Sequence, residues 1–176
     1  MLTFTKEHSG TIPAPPDVIY DILTEYDAYG EWMPLIGRGH LLAVEGNTAI
    51  AEFHLTDPEG ERVAVECVHN KNRMVMTQPI EGDAPFTRMQ WDIEPEGSGG
   101  SRVHLSMRCT ADKRWLSGSY SNFPENAVKG LRNQASSFAV DAAPEQSGSG
   151  PLIEIFETED GLICWLNGKK YVMKEA

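Results

Sequence analysis

The chain has 176 residues, 40% of them hydrophobic, which predicts one globular domain with room for a small appendage. Its net charge of -11 argues against a nucleic-acid backbone or an anionic membrane surface as the main partner. No apolar run approaches the ~20 residues of a membrane span, and the opening MLTFTKEHSG lacks the basic and apolar regions of a signal peptide, so a cytoplasmic protein is expected.

Residues 2–12 read as an opening strand, with Leu2, Phe4 and Ile12 apolar, and Pro13-Ala14-Pro15-Pro16 ends it. Pro16 suits the first position of a helix, where a missing N–H costs nothing. Val18, Ile19, Ile22 and Leu23 then mark a short amphipathic helix. Tyr26, Tyr29 and Trp32 fall on a shorter helical or turn segment that Pro34 stops. From Gly39 onward the pattern predicts strands over 39–45, 48–56, 62–70, 73–79, 86–95 and 102–111. Turn-forming links such as Glu45-Gly46-Asn47 and Asn70-Lys71-Asn72 make neighbouring strands antiparallel. Alternation puts Ala49, Ala51, Phe53 and Leu55 on one face, as it does Val63, Val65, Cys67 and His69. The same holds for Met89, Trp91 and Ile93, and for Val103, Leu105, Met107 and Cys109. His54, His104, Arg88 and Arg108 take the outward parity.

Ser117, Ser119 and Ser121 lie in a connection that reads as flexible, with a gating loop as the alternative. The span 121–143 then predicts the one long helix. Asn122 is its N-cap, Pro124 falls in its first turn, and Glu125 is the capping-box partner. Ala127, Val128, Leu131, Ala135, Phe138 and Ala139 draw an apolar stripe, while Gly130 and Ser136-Ser137 weaken the helix intrinsically. Packing must therefore hold it, and the simplest architecture is one sheet folded around one helix. Residues 144–150 have linker composition. Residues 151–176 carry Asp160-Gly161 and Asn167-Gly168 between apolar runs, which predicts a three-strand meander. The expected division is therefore a domain over 1–143, a linker over 144–150 and an appendage over 151–176.

The order of strand, Pro13-Ala14-Pro15, the Val18/Tyr20/Leu23 helix, then Tyr26, Tyr29, Trp32 and Pro34, six strands and a long helix resembles a known family. It is similar to the START-related (SRPBCC) helix-grip superfamily, in its polyketide cyclase and coenzyme-Q-binding branch. The resemblance covers about residues 1–143. It implies an α+β fold, a curved antiparallel sheet of about seven strands around the C-terminal helix, with two short helices after strand 1. The meander is an addition to that pattern. The resemblance also implies an apolar cavity between sheet and helix.

On that basis the expected cavity residues are Phe53, Leu55, Val65, His69, Met89, Trp91, Leu105 and Met107 from the strands, with Leu131, Ala135 and Phe138 from the helix. An ordinary packed core is the competing reading. Tyr26, Tyr29 and Trp32 either line a portal or pack the helices onto the sheet. His69 is the one inward-facing group suited to proton transfer, although a hydrogen-bonded or rim histidine is the simpler reading and no catalytic residue is assigned. The sequence contains no nucleophile-elbow, phosphate-loop or metal-ligand pattern. Cys67, Cys109 and Cys164 are scattered and predict buried free thiols. The leading expectation is a cofactor-free, metal-free binder of a hydrophobic small molecule such as a lipid, isoprenoid quinone or polyketide. The alternatives are a polyketide aromatase/cyclase, and an interaction module that forms a homodimer through residues 151–176.

Overall fold

The alternating segments become strands with the expected inward faces. In the computed structural model, residues 2–141, 153–158, 161–166 and 169–173 are described, with side chains to residue 138. Chain order is β1 (Thr3–Ile12), α1 (Pro16–Thr24), a 3-10 turn (Tyr26–Ala28), α2 (Tyr29–Trp32) and β2 (Ile36–Glu45). Then come β3 (Thr48–Thr56), β4 (Glu59–Asn70), β5 (Met74–Glu81), β6 (Phe86–Glu96) and β7 (Gly100–Thr110). A 3-10 turn (Lys113–Leu116), α3 (Gly118–Ser121) and α4 (Phe123–Asp141) follow, and β8 (Ile153–Thr158), β9 (Gly161–Leu166) and β10 (Lys169–Met173) end the chain.

The first seven strands form one antiparallel sheet ordered β1-β7-β6-β5-β4-β3-β2, so the first strand closes against the last. Register creates rows of side chains across its inner face. One row runs Ala49, Cys67, Thr77, Met89, Met107. The next runs His69, Val75, Trp91, Leu105. These two rows have different fates, and that difference creates the site.

The helices form where the sequence places them. Pro16 opens α1, Asp17 lies in its first turn where the helix dipole favours an acid, and Ile19, Ile22 and Leu23 are buried. At the start of α4 the Asn122 carbonyl accepts from Asn126 N–H at 3.0 Å, as the carbonyl of an N-cap residue should. Ala127, Val128, Leu131 and Ala135 are at most 2% exposed. Phe138 departs from the stripe: it is 54% exposed. The side chain of Ala139 lies outside the described residues. Gly130 has a packing role that its helix propensity hides. A Cβ there would sit 2.1 Å from the Trp32 carbonyl oxygen, so the helix passes α2 at backbone contact.

The connection at 111–122 is more ordered than a serine-rich sequence suggests. The Asp112 carboxylate accepts from Arg114 N–H at 2.8 Å and caps the 3-10 turn, while Trp115 and Tyr120 are buried. Cys67 and Cys109 are buried free thiols, and burial pushes the Cys109 thiol up to about 11. The Cys164 thiol lies outside the described residues.

The chain divides into two units, Met1–Ser136 and Ser137–Ala176. In the second, β8, β9 and β10 form the expected antiparallel meander, ordered β10-β9-β8, with Cys164 opposite both Ile155 and Tyr171. The expected linker, 144–150, lies outside the described residues.

Candidate functional site

The two rows meet different neighbours. Above Trp91 stands Trp32, its ring centroid 6.3 Å away at an interplanar angle of 66°, and α1 packs against β5 and β6. These aromatic and helical groups fill that half of the inner face. Trp91, Leu105, Leu131 and Ala135 are therefore packed core, at most 2% exposed, and the structure does not bring them to a cavity.

The other half is left open. Phe53, Leu55, Val63 and Val65 from β3 and β4, Thr77 from β5, Met89 from β6 and Met107 from β7 form its walls. Met33 to Ile36, Ala84 to Phe86, Trp115, Tyr120 and Phe123 complete the enclosure, so the long helix contributes through its first residue. Five expected cavity residues (Phe53, Leu55, Val65, Met89 and Met107) meet here. His69 and Phe138 do not: His69 sits at the sheet end beside α1, and Phe138 belongs to the other unit. Of the expected portal, Tyr29 reaches the cavity. Tyr26 and Trp32 are buried in an aromatic cluster with it, and Tyr29 stacks on Phe53 with centroids 5.0 Å apart.

The cavity is small, about 50 Å³. That is room for a few waters, whereas pockets that hold drug-sized ligands run to about 300–1,000 Å³. A larger guest must displace the walls. Met33, Met89 and Met107 are suited to this, because an unbranched thioether changes rotamer at little cost.

Three connections close over the cavity and are tied together by two side chains. Arg114, 13% exposed, reaches Asp112 at 2.7 Å, Asp83 at 3.2 Å and Glu61 at 3.7 Å. It also donates to the Asp83 carbonyl at 3.0 Å. Tyr120 donates to the Asp57 carbonyl. The β3–β4 hairpin, the β5–β6 loop and the 112–120 segment are thus held as one cover. Replacing Arg114 by Met should loosen it. We expect a loss of about 1–2 kcal/mol in urea denaturation, discounted for the exposure of its partners, and faster uptake of a fluorescent apolar probe in stopped flow. Unchanged uptake kinetics would remove Arg114 from any gating role.

His69 has a different environment from the cavity. Its Nε2 meets the Tyr26 hydroxyl, and its ring lies over Tyr26 at 5.9 Å and edge-on to Tyr20 at 6.1 Å. Burial lowers its pKa from the usual 6.5, and burial raises that of Tyr26, so a neutral imidazole is hydrogen-bonded to a protonated phenol. The unfolded chain then binds a proton that the folded chain refuses. Stability contributed here is complete above pH 6.5 and falls as pH drops through the lowered value. His69→Gln should flatten that slope below pH 6.5 in thermal melts; an unchanged slope would place the titration elsewhere. The outward histidines do simpler work, His54 meeting Glu52 at 2.8 Å and His104 meeting Ser9 at 2.7 Å.

Sequence reasoning missed the loop half of the cavity, because period-two alternation says nothing about connections. A signal was available in the apolar Met33-Pro34-Leu35-Ile36 run and in Ala84-Pro85, which stand outside the predicted strands. Among the described residues, no group of His, Cys, Asp and Glu could hold a metal ion, and no helix is long and apolar enough to cross a membrane.

A curved seven-stranded antiparallel sheet, with two short helices after its first strand and a long helix after its last, defines a START-like helix-grip protein. The family model described as polyketide cyclase / dehydrase and lipid transport matches residues 2–142, and the chain belongs to that family. Solved structures share the fold at low identity. The Zhui aromatase/cyclase from a Streptomyces species superposes with a TM-score of 0.63 at 14% identity, over 78% of this chain and 96% of that one. A START superfamily protein from Mycobacterium smegmatis gives 0.63 at 15%, over 76% and 98%. A STAR-related lipid transfer protein from Xanthomonas axonopodis gives 0.60 at 17%, over 75% and 85%. No curated protein matches the chain.

Proposed function

We propose that this protein binds a hydrophobic small molecule, of the size of a lipid, isoprenoid quinone or polyketide, in the cavity under the Arg114 cover, and does so in the cytoplasm. The observation that carries this reading is the wall itself. Every lining residue except Thr77 presents aliphatic, aromatic or thioether surface, and none is Asp, Glu, His, Lys or Arg. Burial of apolar ligand surface would supply the affinity, at roughly 25 cal/mol per Å² before the costs of ordering and of opening the cover. Membership of a family that spans cyclases and lipid transport supports the same ligand class. A cyclase would need proton transfer, and the wall would have to borrow it from a group outside the lining, such as His69.

Native mass spectrometry of the protein purified from its own cells, before and after organic extraction, tests the reading. A discrete extractable adduct of apolar character is the expected result. A polar adduct, or apolar probes that fail to bind at their solubility limits, would overturn it.

A further inference from the structure

Accepting the cavity as the ligand site, we infer that its ligand is an uncharged lipophile with one hydroxyl or carbonyl group, and that Thr77 is the anchor for that group. The argument starts from which polar groups of the wall are already engaged. The Tyr29 hydroxyl donates to the Leu23 carbonyl at 2.6 Å, Trp115 Nε1 donates to the Pro85 carbonyl at 3.0 Å, and Tyr120 donates to Asp57. Each donor has a backbone acceptor and none is free to turn inward.

Thr77 differs. It is 6% exposed, it lies on β5, the central strand of the seven, and its hydroxyl meets only the Cys67 thiol, at 3.6 Å. A hydroxyl offers one donor and two acceptor sites, and a thiol is a weak partner for any of them. Ser101, the other buried serine or threonine among the described residues, is held by the Ala14 carbonyl at 2.6 Å and faces no such choice. Thr77 therefore keeps unused hydrogen-bonding capacity in an otherwise apolar wall. A rotation about χ1 exchanges its methyl group for its hydroxyl. A guest hydroxyl or carbonyl reaching that point gains a bond that water cannot offer once the cover closes.

Charge is excluded by the same surroundings. A carboxylate drawn into the wall would find no cation among the lining residues and would bear its desolvation cost. Left at the cover, it would meet Asp83, Asp112 and Glu61 gathered around the single guanidinium of Arg114. Both positions reject an acid.

Equilibrium dialysis of the full chain against naphthalene, 2-naphthol and 2-naphthoate separates these statements. Wild-type protein should bind 2-naphthol about tenfold more tightly than naphthalene, the value of one good buried hydrogen bond, and 2-naphthoate more weakly than either. Thr77→Val should abolish the preference for 2-naphthol over naphthalene, and Thr77→Ser should keep it. Equal binding of 2-naphthol and naphthalene by wild-type protein would overturn the anchor, whether or not the valine variant folds. Binding of 2-naphthoate as tight as 2-naphthol would overturn the exclusion of charge. If no probe binds wild-type protein, the cavity reading itself fails, a result distinct from both.

Discussion

Gly130→Ala should destabilise the Met1–Ser136 unit by about 2 kcal/mol, which corresponds to a fall in melting temperature of roughly 4–8 °C for a chain of this size. Helix propensity alone gives the opposite sign, because alanine is favoured over glycine by about 1 kcal/mol in a helix interior. The contact decides the matter. The new Cβ would lie 2.1 Å from the Trp32 carbonyl oxygen and 3.2 Å from its carbon, and both are backbone atoms of another element. Neither can swing aside as a side chain would. Relief requires α4 to withdraw from α2, and Trp32 is what covers Trp91. Urea denaturation of the two proteins measures the difference. An alanine variant as stable as the wild type would show that α4 and α2 do not approach at backbone contact.

The largest expected effect on function comes from filling the cavity. Val65→Phe adds an aromatic ring to the β4 wall, from a fully buried position whose neighbour across β3 is the small Ala51. With only about 50 Å³ open, the ring should occupy the space a guest needs. Naphthalene binding should weaken at least tenfold, about 1.4 kcal/mol. Stability should hold or rise, since the ring gains contacts that an empty space denied. This opposition of signs makes the variant informative. Loss of both binding and stability would mean a disrupted sheet, and retained binding would place the guest somewhere other than this cavity.

Much of the architecture was legible in the residues because it depends on local periodicity. The inward parity of Phe53, Val65, Met89 and Met107 follows from a side-chain period of two, and each of the four is buried. Pro16 and Asn122 announce the starts of α1 and α4 through rules that act within one turn. The meander follows from turn chemistry of the same range.

Parity could not say which inward residues would meet empty space. Trp91 and Met89 lie two positions apart on one face of β6, yet Trp91 is packed under Trp32 and Met89 lines the cavity. Nor could the stripe that includes Phe138 tell where packing along α4 would stop. The latch made by Arg114, and the uncommitted hydroxyl of Thr77, depend on residues tens of positions apart.

The sequence by itself determined the strands, the helices, the faces they bury and the superfamily they resemble, because these are written in patterns a few residues long. Only the tertiary structure decided where the inner face is filled and where it is left open. That depends on which side chains from distant segments arrive over each row. Close packing is a property of the assembled neighbours, and no single stretch of chain carries it.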